Sequence, residues 1–471
     1  MIGRNNEIDE LERLYDSDES EFVAVYGRRR VGKTYLVREV FDGRFTFVHT
    51  GLPDAPKKMQ LSHFKQSLQA YGGKSGGRIG DWFEAFDRLK PVIDSSAFAR
   101  KVVFIDEMPW MDTAKSDFLI ALTAFWNEWA SARKDVLLIV CGSAAAWMVK
   151  NLFRNRGGLH NRVTARIRLE PLSLGECERL VAGRGIEMTR ADIAECYMIL
   201  GGIPYYWRYL VKGLSVAQNI DRMFFAGGAP LRGEYEELYS SLFKNADVYK
   251  KVVKAMTDRK SGLTRKEIFE KSGIKSAGKL TDVLETLEAS GFLRRYRSPG
   301  KSKRESIYQL LDNFTLFHFR FLANPSDDEH FWSSTVKTAS RYSWRGLAFE
   351  RLCLQHHRQI RSALGLSAIH TEMYAWRHVG DETYPEGAQI DLLIDRADNI
   401  INVCEMKFSD GPFALTAEYL AELERKLSAF KGVTGTGKGV HLTMVTSAGL
   451  LHNACSRRVQ SEIALDDLFK D

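Results

Sequence analysis

The sequence predicts an α/β protein of several domains, and three observations predict it. At 471 residues the chain is too long for one hydrophobic core, so two to four domains are expected. Its first third sets short all-apolar runs, of the kind buried in a parallel sheet, between stretches of helical spacing. One of those runs, Phe22 to Tyr26, leads into a glycine loop and then into a helix.

That loop, Gly27 to Thr34, reads GRRRVGKT. The spacing G-x-x-x-x-G-K-T after a strand and before a helix is that of a nucleotide phosphate-binding loop. Gly27 and Gly32 allow the backbone to curl its N–H groups around phosphates, and Arg28, Arg29, Arg30 and Val31 complete the cradle. The new helix points its positive end at the same place. Lys33 would reach the β- and γ-phosphates, and the Thr34 hydroxyl would ligate Mg²⁺.

The rest of the sheet follows in order. Residues 45–49 read as a second strand, and 57–71 and 81–93 as helices. Val102 to Ile105 is an apolar strand ending in Asp106 and Glu107. At the carboxyl end of a parallel strand, Asp106 would hold Mg²⁺ and Glu107 would polarise the attacking water. Residues 115–132 read as one long helix, and Val136 to Cys141 as another buried strand. Ser143, at that strand's tip, is either a sensor of the γ-phosphate or a helix N-cap. Arg162, before the strand 166–170, either reaches a γ-phosphate of its own or a neighbouring subunit or is a surface arginine among Arg154, Arg156, Arg166 and Arg168. No N-K-x-D loop follows a strand, the nearest string being Ala114 to Asp117, so ATP is favoured over GTP.

Composition narrows the class. With 44% apolar and 27% charged residues the chain is of the ordinary soluble kind. Six cysteines without a C-x-x-C pair argue for a reducing compartment without structural zinc, and no run reaches membrane-span length, so a cytoplasmic protein is expected. The net charge is +7, yet Ser241 to Leu310 alone holds 17 Lys and Arg against 8 Asp and Glu. A local basic surplus points to an anionic partner, nucleic acid first.

Residues 173–242 read as a helical lid interrupted by Gly201-Gly202-Ile203-Pro204, a hinge or a helix–helix corner. Residues 245–311 read as a winged helix-turn-helix, with Thr264 capping its second helix and a basic hairpin carrying Arg294, Arg295, Arg297, Lys301, Lys303 and Arg304. Such a wing can lie on phosphates, whereas Asp282, Glu285 and Glu288 on the third helix speak against base reading; a structural connector is the alternative. Farther on, Asp391 in QIDLLI and Glu405 and Lys407 in VCEMK have the spacing D-x13-E-x-K of the PD-(D/E)xK nucleases. Glu405 and Lys407 share a strand face, and Glu350 in GLAFER can join them. Asp391 and Glu405 would be the metal ligands of a Mg²⁺ site, and Lys407 would position water or stabilise the transition state. The other readings are a charged hairpin and a nuclease fold without activity.

The order of IGRNNEIDEL, GRRRVGKT, VVFIDEMPW, CGSAAAWM, LHNRVTARIRLEPLS, GGIPYYW, GLAFERLC, QIDLLID and VCEMKFSD resembles that of archaeal-type P-loop ATPases of the AAA+/STAND group with a C-terminal restriction-endonuclease-like domain. The resemblance implies a P-loop ATPase core over 1–172, a lid over 173–243, a winged helix over 244–312 and a nuclease-like domain over 313–471. It implies ATP and Mg²⁺ as ligands. DNA and a second copy of the chain are the partners to test. The function expected is an ATPase coupled to nucleic-acid binding, with or without metal-dependent cleavage; the alternative is a signalling or scaffold ATPase whose last domain does not cut.

Overall fold

Five strands carry the N-terminal third: β1 Glu21–Gly27, β2 Phe45–Thr50, β3 Lys101–Asp106, β4 Val136–Gly142 and β5 Ala165–Leu169. They lie in the order β2-β3-β4-β1-β5, every neighbouring pair parallel. Every residue of β3 and β4 is buried, as two covered faces require. The computed structural model describes residues 2–153, 161–257, 262–297, 305–324 and 326–470. The expected wing residues Lys301, Lys303 and Arg304, like Arg154 and Arg156, lie outside these. The chain divides into two compact units, one of Met1–Pro171 with Glu285–Ser290, the other of Leu172–Leu284 with Gly291–Asp471.

In the first unit the helices Lys57–Ala70 and Trp82–Asp94 stand where the spacing predicts them. Their apolar faces pack against one side of the sheet, where Trp82 meets Phe118 at 4.9 Å and Phe64 at 5.5 Å between ring centroids. Truncating one such ring would cost about 3–5 kcal/mol. The helix expected over 115–132 begins only at Phe118 and widens into a π-type turn over Trp126–Ala130. Lys115 and Asp117 both have a φ of 59°, a left-handed backbone that cannot start a right-handed helix.

The second unit opens with helices Leu174–Gly183 and Arg190–Leu200, each started by a capping box, Ser173 with Glu176 and Thr189 with Asp192. At the following corner Gly202 accepts a hydrogen bond from Leu172 N–H at 2.7 Å. A side chain at Gly202 would sit 1.9 Å from the Leu172 carbonyl oxygen, so only glycine fits. Three helices follow, Ala246–Thr257, Arg265–Ser272 and Ala277–Ala289, with strands β6 Leu263–Thr264, β7 Leu293–Tyr296 and β8 Ile307–Leu310 in the order β6-β8-β7. Leu280, Val283, Leu284 and Leu287 are buried, while Asp282 and Glu285 are exposed.

The C-terminal sheet is built from β9 Thr371–His378, β10 Ala388–Arg396 and β11 Ile400–Lys407. The two-residue β12 Phe413–Ala414 follows, then β13 Gly439–Thr446, the short β14 Leu450–Leu451 and β15 Ser461–Ala464. The sheet order is β15-β13-β11-β10-β9, with β9, β10 and β11 antiparallel and β11, β13 and β15 parallel. The helix Ala417–Thr434 connects β11 to β13, and the helix Ala339–Gln355 precedes the sheet. Among the described residues no helix is long and apolar enough to cross a membrane.

Candidate functional site

The phosphate loop leaves the sheet where β1 lies between β4 and β5. Gly27, level with Leu169, has a φ of +147°, and a Cβ there would stand 2.3 Å from the Leu169 carbonyl oxygen. Gly32 has a φ of +96° and passes the chain into the helix Lys33–Val40. Between them Arg30 also takes a left-handed φ, 70°. The backbone is therefore curled as a phosphate cradle requires, with a helix N-terminus aimed at it. Arg28 is buried in this loop and Arg29 and Arg30 are half-buried.

Lys33 is buried, and its ammonium donates to the carbonyl oxygens of Gly27 at 3.2 Å and Arg28 at 2.8 Å. Burial lowers its pKa, with Glu107 and Asp106 near enough to act against that shift. Thr34 Oγ1 donates to Asp106 Oδ2 at 2.8 Å, and the Glu107 N–H donates to Asp106 Oδ1 at 2.9 Å. Burial, then repulsion from Glu107, raises the pKa of Asp106. This hydroxyl and carboxylate suit one divalent cation that takes its remaining ligands from phosphates and water. Mg²⁺ fits there.

Glu107 has a φ of 47°, which turns its side chain to the tip of β4. Its Oε2 accepts from the Ser143 N–H at 3.0 Å and its Oε1 from Ser143 Oγ. The spacing did not predict this pairing. Ser143 makes no side-chain cap to the helix that follows, Ala145–Met148. Arg162 is not brought to the loop of its own chain. Ala165 is level with Val23 and Leu169 with Gly27, so the turn holding Arg162 lies at the opposite end of β5, beyond about 13 Å of strand. It is exposed there. Two residues near the loop went unassigned from sequence. Arg4, buried and with a φ of 71°, donates to the Val31 carbonyl at 3.3 Å. Cys141, buried at the end of β4, lies beside Asp106 and Lys33, and burial pushes its thiol well up.

The second cluster lies on the C-terminal sheet. Leu392 pairs with Cys404, which sets Asp391 beside Glu405 one position on. Glu350 is buried on the helix Ala339–Gln355, and the charges of Glu405 and Glu350 both act on the Tyr419 hydroxyl. Glu405 accepts from Tyr419 Oη, and its oxygens stand 3.2 Å from Lys407 Nζ and 3.7 Å from Lys426 Nζ. Burial alone would raise the pKa of Glu405; Lys426 and Lys407 outweigh it and hold the carboxylate below its ordinary range. Asp391 Oδ1 accepts from Gln389 at 2.6 Å, and its carbonyl accepts from Arg294 at 3.4 Å. Tyr419 and Lys426 project from the helix Ala417–Thr434 and were not read from sequence, although seven residues apart they share a helix face. Among the described residues no three of His, Cys, Asp and Glu come close enough together to hold a metal ion. With Glu405 engaged by two ammonium groups, Asp391 and Glu405 do not fit a Mg²⁺ ion in this arrangement.

Residues 1–210 match a protein family described as an ATPase domain predominantly from Archaea. An uncharacterized protein of Methanocaldococcus jannaschii is 25% identical over 394 residues, 81% of this chain and 83% of its own length. An uncharacterized ATP-binding protein of the same organism is 35% identical over 44 residues, 9% of this chain and 75% of its own. Among solved structures the chain resembles the Walker-type ATPase of Pyrococcus abyssi, at 14% identity and a TM-score of 0.49, over 68% of this chain and 96% of that one. The N-terminal part of the chain is thus similar to ATPase domains found predominantly in Archaea.

Proposed function

We propose that this protein hydrolyses ATP at Gly27–Thr34, Asp106 and Glu107, and that its C-terminal half binds nucleic acid. The observation that carries the first part is the Thr34–Asp106 hydrogen bond at 2.8 Å, with Glu107 next in the chain and oriented by Ser143. On ATP binding, Lys33 exchanges the Gly27 and Arg28 carbonyls for phosphate oxygens, and the loop N–H groups and helix N-terminus hold the triphosphate. Thr34 and Asp106 would hold Mg²⁺, which supplies charge neutralisation on the β- and γ-phosphates. Glu107 accepts a hydrogen bond from water and orients its oxygen toward the γ-phosphorus. The water oxygen bonds to that phosphorus as the bond to the bridging oxygen breaks and a water proton passes to Glu107 and on to solvent, leaving ADP and phosphate.

The nucleic-acid part rests on the basic surplus of residues 241–310 and on three helices followed by a strand hairpin, the order of a winged helix. Arg295 and Arg297 are exposed on the first hairpin strand and its end. Exposed Asp282 and Glu285 favour contact with the phosphate backbone over base reading. The strand order of the C-terminal sheet and the placement of Asp391, Glu405 and Lys407 support a nuclease-like fold. The two lysines on Glu405 favour binding without cutting.

The test is ATP turnover by the purified chain with and without duplex DNA, beside anisotropy of labelled DNA. Turnover lost in Glu107→Gln and DNA binding retained there supports both parts. Wild-type turnover no faster than Glu107→Gln rules out the first, and no salt-dependent DNA binding rules out the second.

A further inference from the structure

Beside the C-terminal carboxylates the sheet opens into a cleft of about 440 Å³, lined by Arg377, His378, Gln389 and Lys426 among others. Arg377 and Gln389 are paired neighbours on β9 and β10. Lys426 reaches the cleft from the helix Ala417–Thr434 and stands 3.7 Å from Glu405 and 3.1 Å from Glu422. Its charge also feels Asp391. Lys407 Nζ stands 3.2 Å from Glu405 and 4.6 Å from the centre of the Tyr419 ring. Glu405 thus has two ammonium groups within 3.7 Å, and the charge of one of them, Lys426, also reaches Asp391.

The surroundings add positive charge. Arg294 from β7 donates to the Asp391 carbonyl, and Arg351 is buried beside Glu350 and Asp391. Arg377 makes no ion pair with a described residue, although Glu386, which pairs with Arg425, also lines the cleft. Arg377, Lys407 and Lys426 keep part of their surface in solvent. Glu405, already paired with two ammonium groups, is a poor metal ligand, while partly solvated cations at its rim attract an anion.

We propose that this cleft binds a phosphodiester without any divalent metal, Lys426 and Lys407 standing where the cation of a nuclease would stand and Arg377 and Lys426 receiving the phosphate. It rests on the nucleic-acid reading above and adds that the binding is metal-independent and runs through this cleft. The chemistry recognised is a phosphate oxygen pair, from a nucleic-acid backbone or from a free nucleotide.

The experiment uses the full chain with labelled single- and double-stranded oligonucleotides, read by anisotropy in EDTA and in Mg²⁺, with ATP and inorganic phosphate as competitors. Equal affinity in EDTA and Mg²⁺ is expected. Arg377→Ala should weaken binding roughly tenfold and lower the slope of log affinity against log salt by about 0.7–0.9. A merely unfolded variant would lose binding altogether, and circular dichroism checks for that. Displacement of the oligonucleotide by millimolar ATP would make a free nucleotide the ligand; resistance to it assigns the backbone. A second arm counts bound Mn²⁺ by electron paramagnetic resonance without nucleotide. The wild type should gain no site at the C-terminal sheet, and Lys426→Ala should gain one that Asp391→Ala in the same chain removes. Binding abolished by EDTA, an unchanged Arg377→Ala, or a wild-type Mn²⁺ site lost in Asp391→Ala would each overturn the inference. If no oligonucleotide binds the wild type, the nucleic-acid reading and the phosphodiester assignment fall together, while the Mn²⁺ arm still decides whether the lysines exclude a metal.

Discussion

Both carboxylate oxygens of Glu107 are held by one residue, Ser143, through its N–H at 3.0 Å and through its hydroxyl. Glu107 stands in a left-handed backbone at the end of β3, and Ser143 follows β4, the neighbouring strand. The pair therefore joins the two strand tips beside the phosphate loop. Its role in the proposed hydrolysis is orientation: the serine sets the angle from which the carboxylate meets water. Ser143→Ala keeps the N–H bond and loses the hydroxyl. Steady-state kinetics should show kcat for ATP down roughly tenfold with little change in KM. Glu107→Gln should cost at least roughly a hundredfold in kcat. A Ser143→Ala enzyme as fast as the wild type would leave the serine without a part in turnover.

In the proposed hydrolysis Lys33 and a Mg²⁺ held by Thr34 would divide the nucleotide's charge between them. Lys33→Ala removes the one ammonium that can exchange loop carbonyls for phosphate oxygens, so affinity for ATP should drop roughly 10–100-fold by calorimetry. Removing Mg²⁺ with EDTA should stop hydrolysis while leaving weaker ATP binding through Lys33. Thr34→Ala should raise the Mg²⁺ concentration needed for half-maximal turnover.

Gly27→Ala tests the loop as a fold element. The added Cβ would meet the Leu169 carbonyl oxygen at 2.3 Å on a residue whose φ is +147°. Strand β5 must shift or the loop must uncurl. Chemical denaturation should show the first unit destabilised by about 2 kcal/mol or more. A variant of wild-type stability would contradict the close approach.

His356 sets a pH dependence in the second unit. Its Nε2 accepts from the Leu174 N–H at 3.0 Å and its Nδ1 donates to the Leu352 carbonyl at 2.9 Å, so the ring is neutral. Burial drops its pKa to about 4. The folded state thus refuses a proton that the unfolded chain takes up near pH 6.5. Stability is full above that pH and declines as pH falls, by about 2 kcal/mol at pH 5 from this residue alone. His356→Gln should flatten that part of a urea-denaturation profile measured between pH 7 and pH 5.

What was legible in the sequence was local. The phosphate loop is eight consecutive residues whose job is backbone geometry, so spacing alone located it, and an apolar strand carried Asp106 and Glu107 to the edge of the same site. Contacts between distant residues were not legible. Ser143 reads equally as a helix cap, and only the parallel pairing of β3 and β4 brings it to Glu107. Arg162 reads from sequence either as a phosphate contact, in its own or a neighbouring subunit, or as a surface arginine; strand direction puts it exposed at the far end from the loop of its own chain. Spacing did gather Asp391, Glu405 and Lys407, yet the residues that set their chemistry, Tyr419 and Lys426, come from a helix whose pattern reads as an ordinary amphipathic surface.

ATP turnover tests the central claim most directly. Phosphate release by the purified chain in Mg²⁺ should exceed that of Glu107→Gln at least roughly a hundredfold and should change when duplex DNA is added. Wild type and Glu107→Gln releasing phosphate at the same rate, with DNA and without it, would contradict the account.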